Sequence, residues 1–387
     1  MTTFATAMKA ARAPMAAFAA MGLCWGSFAA DLPDIQMMLG VSEARLGVLL
    51  FLTPVAAVSA MLAAPVLARW GGAHALTWSS LFMALAFFLP GQANGQIFAV
   101  AAFPIAMIAC GLGTGLTDVL MNARVAAIEA KTGGSLMNLA HAVYSFGYAA
   151  GAVGAGVLRA MGMAPGQVLG VAALVAAGVA LLSFEAEGRI HGLDRPRGKG
   201  AAHLGWVPIL GGAIVFIAFL TENASENWAA LYIERTLGGS PSHGAMGPAV
   251  LAFTMGVARL FGQGFAARFA PARLLMVASV VAAAGLIVAA SATGPAMAYA
   301  GFIVAGIGGS VISPTAFSMV GALSKPEARA RAIARATLVG YLGYFVGPPA
   351  FGFLAGGVGL RTTFGVAALL LASILVLAPI MGRRAER

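Results

Sequence analysis

Charged residues are scarce in this chain. Lys, Arg, Asp and Glu together make up 9% of its 387 residues, whereas a soluble domain usually carries about 25%. With 60% hydrophobic residues, a water-soluble fold of this size could not cover its surface with polar groups. The scarcity of charge therefore excludes a water-soluble protein and predicts that much of the apolar surface faces lipid.

Cysteine is scarcer still, and histidine is scattered. The two cysteines, Cys24 and Cys110, both fall inside apolar runs, so a disulfide framework is not indicated. A membrane enzyme would need a metal cluster or a nucleophile–base pair, and the five separated histidines offer neither. We therefore expect no enzymatic activity, no metal and no cofactor.

Long apolar runs and glycine, in contrast, are abundant. The runs stay apolar for about 20 residues, which is the length of a helix that crosses a hydrocarbon core of about 30 Å. Strands of a membrane barrel would instead alternate apolar and polar residues. The 51 glycines suit helices in lipid, where small residues let backbones approach closely. The pattern predicts an all-α membrane protein.

The apolar runs divide into twelve predicted spans, and the breaks fall at turn-forming residues such as those of 90–96 and 237–242. The spans cover residues 13–38, 44–68, 73–91, 97–125, 136–158, 165–184, 205–233, 245–269, 273–292, 295–322, 329–356 and 359–381. The first of them is interpreted as a retained helix rather than a cleaved signal peptide.

The basic residues predict the orientation of the spans. When the N-terminus is placed in the cytoplasm, the Lys and Arg residues fall in cytoplasmic loops or tails, except for Arg45, Arg159, Arg235, Arg259 and Arg361. This is the arrangement that the positive-inside rule favours. The net charge of +10 is therefore interpreted as a topology signal, and we expect no nucleic-acid partner.

A repeat divides the chain into two similar halves. Residues 147–156 and 343–352 share the frame Gly-Tyr-x-x-Gly-x-x-x-x-Gly with unchanged spacing, and we expect its tyrosines to pack between helices. The longest polar stretch, at the midpoint, predicts a cytoplasmic linker at 188–204 between six-span bundles at 1–187 and 205–387. Two such halves are the usual build of a secondary transporter.

The loop after the second span carries a family signature. Residues 64–74, which include Arg69 and Gly71, are similar to the G-x-x-x-D-R-x-G-R-R loop of the major facilitator superfamily, although Ala68 replaces the acid and the trailing basic pair is missing. The resemblance extends over essentially the whole chain. It implies two pseudo-symmetric six-helix bundles that move around a central cavity.

Two motifs narrow the resemblance to fucose-permease-like sugar:proton symporters. Residues 25–35 are similar to the W-G…L-x-D-I pattern of span 1 in those proteins, and residues 117–122 are similar to the E-x-x-x-N pattern of span 4. The resemblance implies that Asp34 and Asp118 serve in proton coupling and sugar binding.

Residues 139–145 and 222–228 are more similar to the YbjJ-like bacterial permeases. The resemblance implies a protein of the bacterial cytoplasmic membrane. The distribution of basic residues and the even number of spans predict that both termini lie in the cytoplasm.

Ionisable residues inside the spans are the candidates for proton coupling. An ionised carboxylate at mid-membrane costs about 2.5–3.5 kcal/mol, so such a residue faces the bundle interior or a watery cavity. Asp118 lies near the middle of span 4, and Asn122 follows one turn later on the same face. Asp31 and Asp34 share a face of span 1. We expect Asp118, helped by Asp34 or Asp31, to bind the proton.

Polar residues of spans 4, 5 and 7 are the candidates for substrate binding, because they could hydrogen-bond a solute in a midplane cavity. They are Asn122, His141, Tyr144, Glu222, Asn223, Glu226, Asn227 and Trp228. Three basic residues, Arg69, Arg124 and Arg259, are the candidates for gating; Arg259 could either reach toward the membrane surface or pair with an acid.

These features favour a proton-coupled symporter, working as a monomer, that moves a small polar solute such as a sugar. Its expected partners are that solute, protons and membrane lipid. A proton antiporter that expels drugs or metabolites is the alternative, because the small residues in the spans also suit an apolar substrate. A channel or scaffold is a further alternative, which saturable, gradient-dependent flux would exclude.

Overall fold

The computed structural model describes residues 9–93, 99–133, 136–186, 188, 204–266, 268–325 and 328–383. All its regular elements within these ranges are helices, so the predicted all-α class is confirmed. Apart from its two end positions, the predicted linker 188–204 lies outside the described residues.

Helices come from both predicted halves of the chain. The helices of the first half are α1 (Arg12–Leu39), α2 (Glu43–Leu50), α3 (Leu52–Gly71), α4 (Ala75–Ala86), α5 (Ala99–Thr132), α6 (Met137–Ala160) and α7 (Pro165–Leu181). Those of the second half are α8 (Val207–Leu231), α9 (Pro241–Ala266), α10 (Pro271–Ala290), α11 (Pro295–Ala322), α12 (Arg329–Ala372) and α13 (Ile374–Arg383). A π-helical turn, Tyr232–Thr236, extends α8.

Glycine, serine and proline residues determine where the helices end and begin, at breaks that the sequence predicts. Gly40 ends α1 in the left-handed region, at φ 62°, which glycine adopts at little cost. The hydroxyl of Ser42 then accepts a hydrogen bond from the Arg45 backbone N–H at 3.4 Å and caps α2. Helices α7, α9, α10 and α11 each begin at a proline, the residue that suits the first helical position.

Eight helical segments of the described residues are long and apolar enough to cross a membrane. Two of them, Glu43–Gln92 and Arg331–Gly382, contain 50 and 52 residues, more than twice the length that one crossing needs. Each is interrupted by a glycine with positive φ, Gly72 at 58° and Gly359 at 83°. The predicted breaks between spans 2 and 3 and between spans 11 and 12 lie at these positions; the count of twelve spans stays a prediction.

The repeated glycine frame forms a packing seam in each half. In the first half, a Cβ on Gly147 of α6 would lie 2.6 Å from the carbonyl oxygen of Ala19 in α1. In the second half, a Cβ on Gly343 of α12 would lie 2.5 Å from the carbonyl oxygen of Phe216 in α8. These distances leave no room for a side chain, so both copies of the frame bring equivalent helix pairs into backbone contact.

The two halves meet at one end of the bundle. We name the end at which α1 finishes the outer end and the opposite end the inner end, following the predicted orientation. Near the outer end, α6 packs on α9, and α2 packs on α12, where a Cβ on Gly352 would lie 2.6 Å from the Glu43 carbonyl oxygen. Helix α3, which continues α2 toward the inner end, barely touches α12. On this side of the bundle, α3 and α12 therefore separate toward the inner end.

Candidate functional site

A cavity of about 300 Å³ lies between the two halves. Helices α1, α2, α3, α5 and α6 of the first half line it, together with α8, α9, α11 and α12 of the second half. Eight of the residues singled out in the sequence lie on its wall, namely Asp118, His141, Tyr144, Glu222, Asn223, Glu226, Asn227 and Arg259. The site thus combines polar residues from both halves.

Helix α5 contributes Asp118 to the cavity wall. The side-chain amide of Asn122, one turn later, donates to Asp118 Oδ1 at 3.0 Å and to the Asp118 carbonyl oxygen at 2.9 Å. Asn122 is held behind Asp118 by these bonds and is not itself part of the wall. The i, i+4 spacing therefore yields a carboxylate whose orientation the amide fixes. Tyr341, from α12, lies on the same cavity wall.

Helix α8 contributes two acids and two amides at helical spacing. Glu222 and Glu226 are one turn apart, as are Asn223 and Asn227, and all four line the cavity. The Asn227 side chain donates to the Asn223 carbonyl oxygen at 2.9 Å. No ion pair involving Glu226 occurs within the described ranges, whereas Glu222 has a basic partner in α9.

Arg259 of α9 is that partner, and it also joins the two halves. Its guanidinium donates to Glu222 Oε1 at 3.2 Å and to the hydroxyl of Ser145 in α6 at 2.9 Å. The Ser145 hydroxyl in turn donates to the His141 carbonyl oxygen at 3.1 Å. Of the two alternatives for Arg259, the structure has it paired with an acid, because a guanidinium at this depth needs a counter-charge.

Aromatic rings cover much of the remaining wall. Tyr144 and Tyr148 of α6 face the cavity with ring centroids 6.1 Å apart, and Tyr344 of α12 stacks on Phe219 at 4.6 Å. Tyr148 and Tyr344 are the tyrosines of the repeated frame. The sequence predicts a packing role for them, and the structure adds a position on the cavity wall, which no repeat pattern could reveal.

Asp31 and Asp34, the other candidates for proton coupling, do not line this cavity. Arg159, at the end of α6, contacts them at the outer end, with Nε 2.7 Å from Asp34 Oδ2 and 3.5 Å from Asp31 Oδ1. The same guanidinium bonds Glu234 of the second half at 2.7 and 3.0 Å. The Arg159 side chain is fully buried, so it depends on these acids to compensate its charge.

The orientation predicted from the sequence places Arg159 in an external loop, and no sequence motif singles out Glu234. The sequence does contain an indication of this contact, because the predicted orientation places one basic residue and the acids of two other spans at the same outer end. The contact itself could not be predicted, because Arg159 is 125 residues from Asp34 and 75 residues from Glu234 in the sequence.

Three further candidates lie away from the cavity. Trp228 is fully buried in the helix core, and its indole N–H has no hydrogen-bond partner within the described ranges. Arg69 is exposed and donates to the Pro65 carbonyl oxygen of its own helix at 3.1 Å. Arg124 forms a two-point bond with Glu185 of the same half, at 2.9 and 3.0 Å.

No cluster of three or more His, Cys, Asp or Glu side chains in the described part of the chain is arranged to hold a metal ion. The polar groups of the cavity include carboxylates, amides, hydroxyls, the His141 imidazole and one guanidinium. They can bind and release protons and hydrogen-bond a solute.

Comparison with known proteins agrees with this architecture. The family model described as Major Facilitator Superfamily matches residues 211–387. An uncharacterised MFS-type transporter of Yersinia pestis is 30% identical over 362 residues, which cover 92% of each chain. The membrane protein MosC of Rhizobium meliloti is 25% identical over 350 residues, which cover 88% of this chain and 82% of that protein.

Solved structures show the same fold. A point mutant of the nucleoside transporter NupG has a TM-score of 0.76 at 13% identity, covering 96% of this chain and 99% of that one. A D-xylose-proton symporter has a TM-score of 0.70 at 15% identity, covering 98% and 97%. The narrower resemblance to fucose-permease-like and YbjJ-like proteins stays a prediction. The relative from Yersinia pestis and the fold together establish that this chain belongs to the major facilitator superfamily.

Proposed function

We propose that this secondary transporter moves a small polar solute together with protons by alternating access, with sugars as the first class to test. The observation that carries the proposal is the position of three carboxylates, Asp118, Glu222 and Glu226, on the wall of one cavity between the halves. Acids inside a membrane are costly and mark ion or substrate pathways.

Asp118 is the proposed proton site. It faces the cavity, and its described side-chain hydrogen bond comes from the neutral amide of Asn122. Within the described ranges, no basic residue forms an ion pair with it. Binding a proton would remove the cost of about 2.5–3.5 kcal/mol that a charge carries at this depth. The carboxylate could therefore be charged while it is open to water and neutral while it crosses, which is the requirement for coupling to a proton gradient.

The amides and hydroxyls around Asp118 suit a hydroxylated solute. Asn223 and Asn227 of α8 offer both donors and acceptors, and Tyr144, Tyr148 and Tyr344 add hydroxyl groups and ring faces. Among the fold neighbours, one is named as a nucleoside transporter and another as a D-xylose-proton symporter. Both solutes named there carry several hydroxyl groups, which supports the proposal for this cavity.

Closure of the outer end supports alternating access. The two-point bond of Arg159 with Glu234 joins the halves on that side, while α3 and α12 separate toward the inner end. We therefore propose an inward-open arrangement, in a monomer of the bacterial cytoplasmic membrane with cytoplasmic termini. Arg69, Arg124 and Arg259 remain candidates for gating, and of these Arg259 contacts both halves.

A proton antiporter that exports drugs or metabolites is the second candidate. The apolar part of the cavity favours it, because Phe18, Met21, Trp25, Phe219 and Phe345 offer a large hydrophobic wall. Such a wall would hold the apolar body of an exported compound. The direction of the gradient that drives accumulation separates the two functions.

The test is uptake into proteoliposomes that contain the purified protein. Labelled pentoses, hexoses and nucleosides are offered with an acidic exterior, an acidic interior or no pH gradient. If the protein is a symporter, the labelled solute accumulates inside the vesicles when the exterior is acidic. A protonophore, which collapses the pH gradient, abolishes this accumulation. Asp118→Asn removes the accumulation but keeps solute binding. Glu43→Gln, at the start of α2 and outside the cavity, is the matched control and retains it. Gradient-driven accumulation by Asp118→Asn would contradict the proton site.

A further inference from the structure

The charges of the cavity wall are not balanced. Three carboxylates face one guanidinium, that of Arg259, which is the single arginine on the wall among the described residues and which pairs with Glu222. Asp118 is bonded to the Asn122 amide. Glu226 forms no ion pair in the described part of the chain, so the single guanidinium of the wall is engaged by Glu222 and does not bond the second acid of α8.

Glu226 shares the cavity wall with an aromatic surface contributed by the other half. Tyr144 and Tyr148 line the same cavity with ring centroids 6.1 Å apart, and Trp25, also on the wall, packs against the buried cluster that contains Tyr148. Edge-on contacts with Phe28 and Phe87, at centroid distances of 5.9 and 4.9 Å, hold the Trp25 ring in place. A carboxylate opposite aromatic faces is the combination that binds an organic ammonium group, through an ion pair and cation–π attraction.

Unpaired hydrogen-bonding atoms lie elsewhere on the same wall. The hydroxyl of Ser313 in α11 has no hydrogen-bond partner within the described ranges although the residue is only 9% exposed. Thr114 Oγ1 of α5 and Asn223 Oδ1 of α8 are likewise buried and unpartnered, and all three residues line the cavity. Buried polar atoms normally have partners, so these atoms point to a ligand that carries hydroxyl groups.

We propose that the transported solute is a small hydroxylated organic cation, such as an amino sugar, whose ammonium group pairs with Glu226 against Trp25, Tyr144 and Tyr148. The proposal rests on the proposed function, because it takes this cavity as the transport site. Ser313, Thr114 and Asn223 then bond the hydroxyl groups of the solute. The cavity, at about 300 Å³, has the size of a small-molecule site.

The alternatives fit the wall less well. An anionic solute would meet an uncompensated carboxylate, which repels it. A neutral sugar brings no counter-charge, so Glu226 would have to bind a proton, as proposed for Asp118, before the cavity closes and water is removed. An ammonium group supplies the missing charge in the occupied state, so the solute itself makes closure favourable.

The experiment measures binding of matched solute pairs to the purified full-length protein. Each pair differs only in an amino group, as in glucosamine and glucose or glucamine and sorbitol, and N-acetylglucosamine tests whether the charge is needed. We expect the amines to bind about tenfold or more tightly than their neutral partners, the size of effect that a charged hydrogen bond supplies. Titration calorimetry gives the affinities, and the shift in unfolding temperature confirms occupancy.

Variants assign the preference to Glu226. Glu226→Gln should lose the preference for amines, while Glu226→Asp, which keeps the charge, should retain most of it. Glu43→Gln should bind as the parent does. Neutral solutes that bind as tightly as the amines, amines that fail to bind at all, or a Glu226→Gln protein that keeps the preference would each overturn the proposal.

The test of the cationic solute and the test of proton symport can fail independently. If neutral sugars accumulate with an acidic exterior and Glu226→Gln has no effect, proton symport stands and the cationic solute is wrong. If the amines bind through Glu226 but no pH gradient drives their accumulation, the solute class stands and proton symport is wrong.

Discussion

Arg159 and Glu234 form a two-point ion pair across the two halves, with Nη1 2.7 Å from Oε1 and Nη2 3.0 Å from Oε2. Arg159 belongs to α6, and Glu234 to the π-helical turn that extends α8. The Arg159 side chain is fully buried, and that of Glu234 is 12% exposed. A buried pair of this kind fixes geometry more than it adds stability, so its position between the halves is what matters for transport.

The first prediction is that this pair holds the outer end closed. Arg159→Gln leaves Asp31, Asp34 and Glu234 without their cation, and removing one partner of a buried ion pair costs about 3–5 kcal/mol. Much of that cost is relieved if the outer end opens and water reaches the acids. We expect a larger outward-open population and slower transport, measured by distances between spin labels on the outer ends of the two halves.

Arg361→Gln is the control for this prediction. Arg361 also lies near the outer end, but it is exposed and bonds only the Ala290 carbonyl oxygen in its own half, at 2.9 Å, among the bonds described. Its removal should leave the distance distribution unchanged. An Arg159→Gln protein with the distances of the parent would show that apolar packing alone closes the outer end.

The second prediction concerns the glycine seam between α1 and α6. A Cβ on Gly26 would collide with the backbone of Tyr148, so Gly26→Ala must push the two helices apart. Overpacking of this kind costs about 1–3 kcal/mol, and we expect a lower unfolding temperature in detergent. Gly154→Ala, in α6, is the matched control because a Cβ there meets nothing within 4 Å. Equal unfolding temperatures for the two variants would contradict the close approach.

The third prediction concerns the bond between Arg124 and Glu185 in the first half. Both side chains are 21% exposed, so we expect a contribution of only about 1 kcal/mol to the free energy of unfolding. Arg124→Glu should lower the unfolding temperature through repulsion, and the exchanged pair Arg124→Glu with Glu185→Arg should recover it. Failure of the exchange to recover stability would indicate that Arg124 acts through contacts other than Glu185, as its predicted gating role would require.

Local spacing explains which parts of the site could be predicted from sequence. Asp118 and Asn122 are four residues apart on one helix, so their hydrogen bond follows from helix geometry alone. Glu222 and Glu226 share a face for the same reason. The apolar runs and the repeated glycine frame likewise determine the helices and the pairs that pack, because both patterns are properties of short segments.

Contacts between distant segments explain what could not be predicted. Whether Arg259 pairs with Glu222 or reaches the membrane surface depends on how α9 packs beside α8. Asp34 lies on the predicted face of α1, yet at the outer end that face meets Arg159 rather than the cavity. Trp228 belongs to a polar cluster in the sequence, but its side chain projects from α8 into the buried helix core.

The fourth prediction is the orientation of the bundle in the membrane. Thr236, after α8, and Ala270, before α10, are both exposed and lie at opposite ends of the second half. The two native cysteines are buried, so a cysteine introduced at either position would be the main site of reaction with a polar maleimide. With the termini in the cytoplasm, Thr236→Cys in intact cells reacts with a membrane-impermeant reagent, and Ala270→Cys reacts only after the cells are opened.

Cys24 and Cys110 are both buried in helices, so the parent protein should not react with the maleimide. The variants Cys24→Ser and Cys110→Ser measure any labelling that these two thiols contribute. The reverse pattern, with Ala270→Cys reacting in intact cells, would place Arg159 and Glu234 at the cytoplasmic end. Their ion pair would then close the inner side of the cavity, and the cavity would open to the exterior, where it would accept an imported solute first.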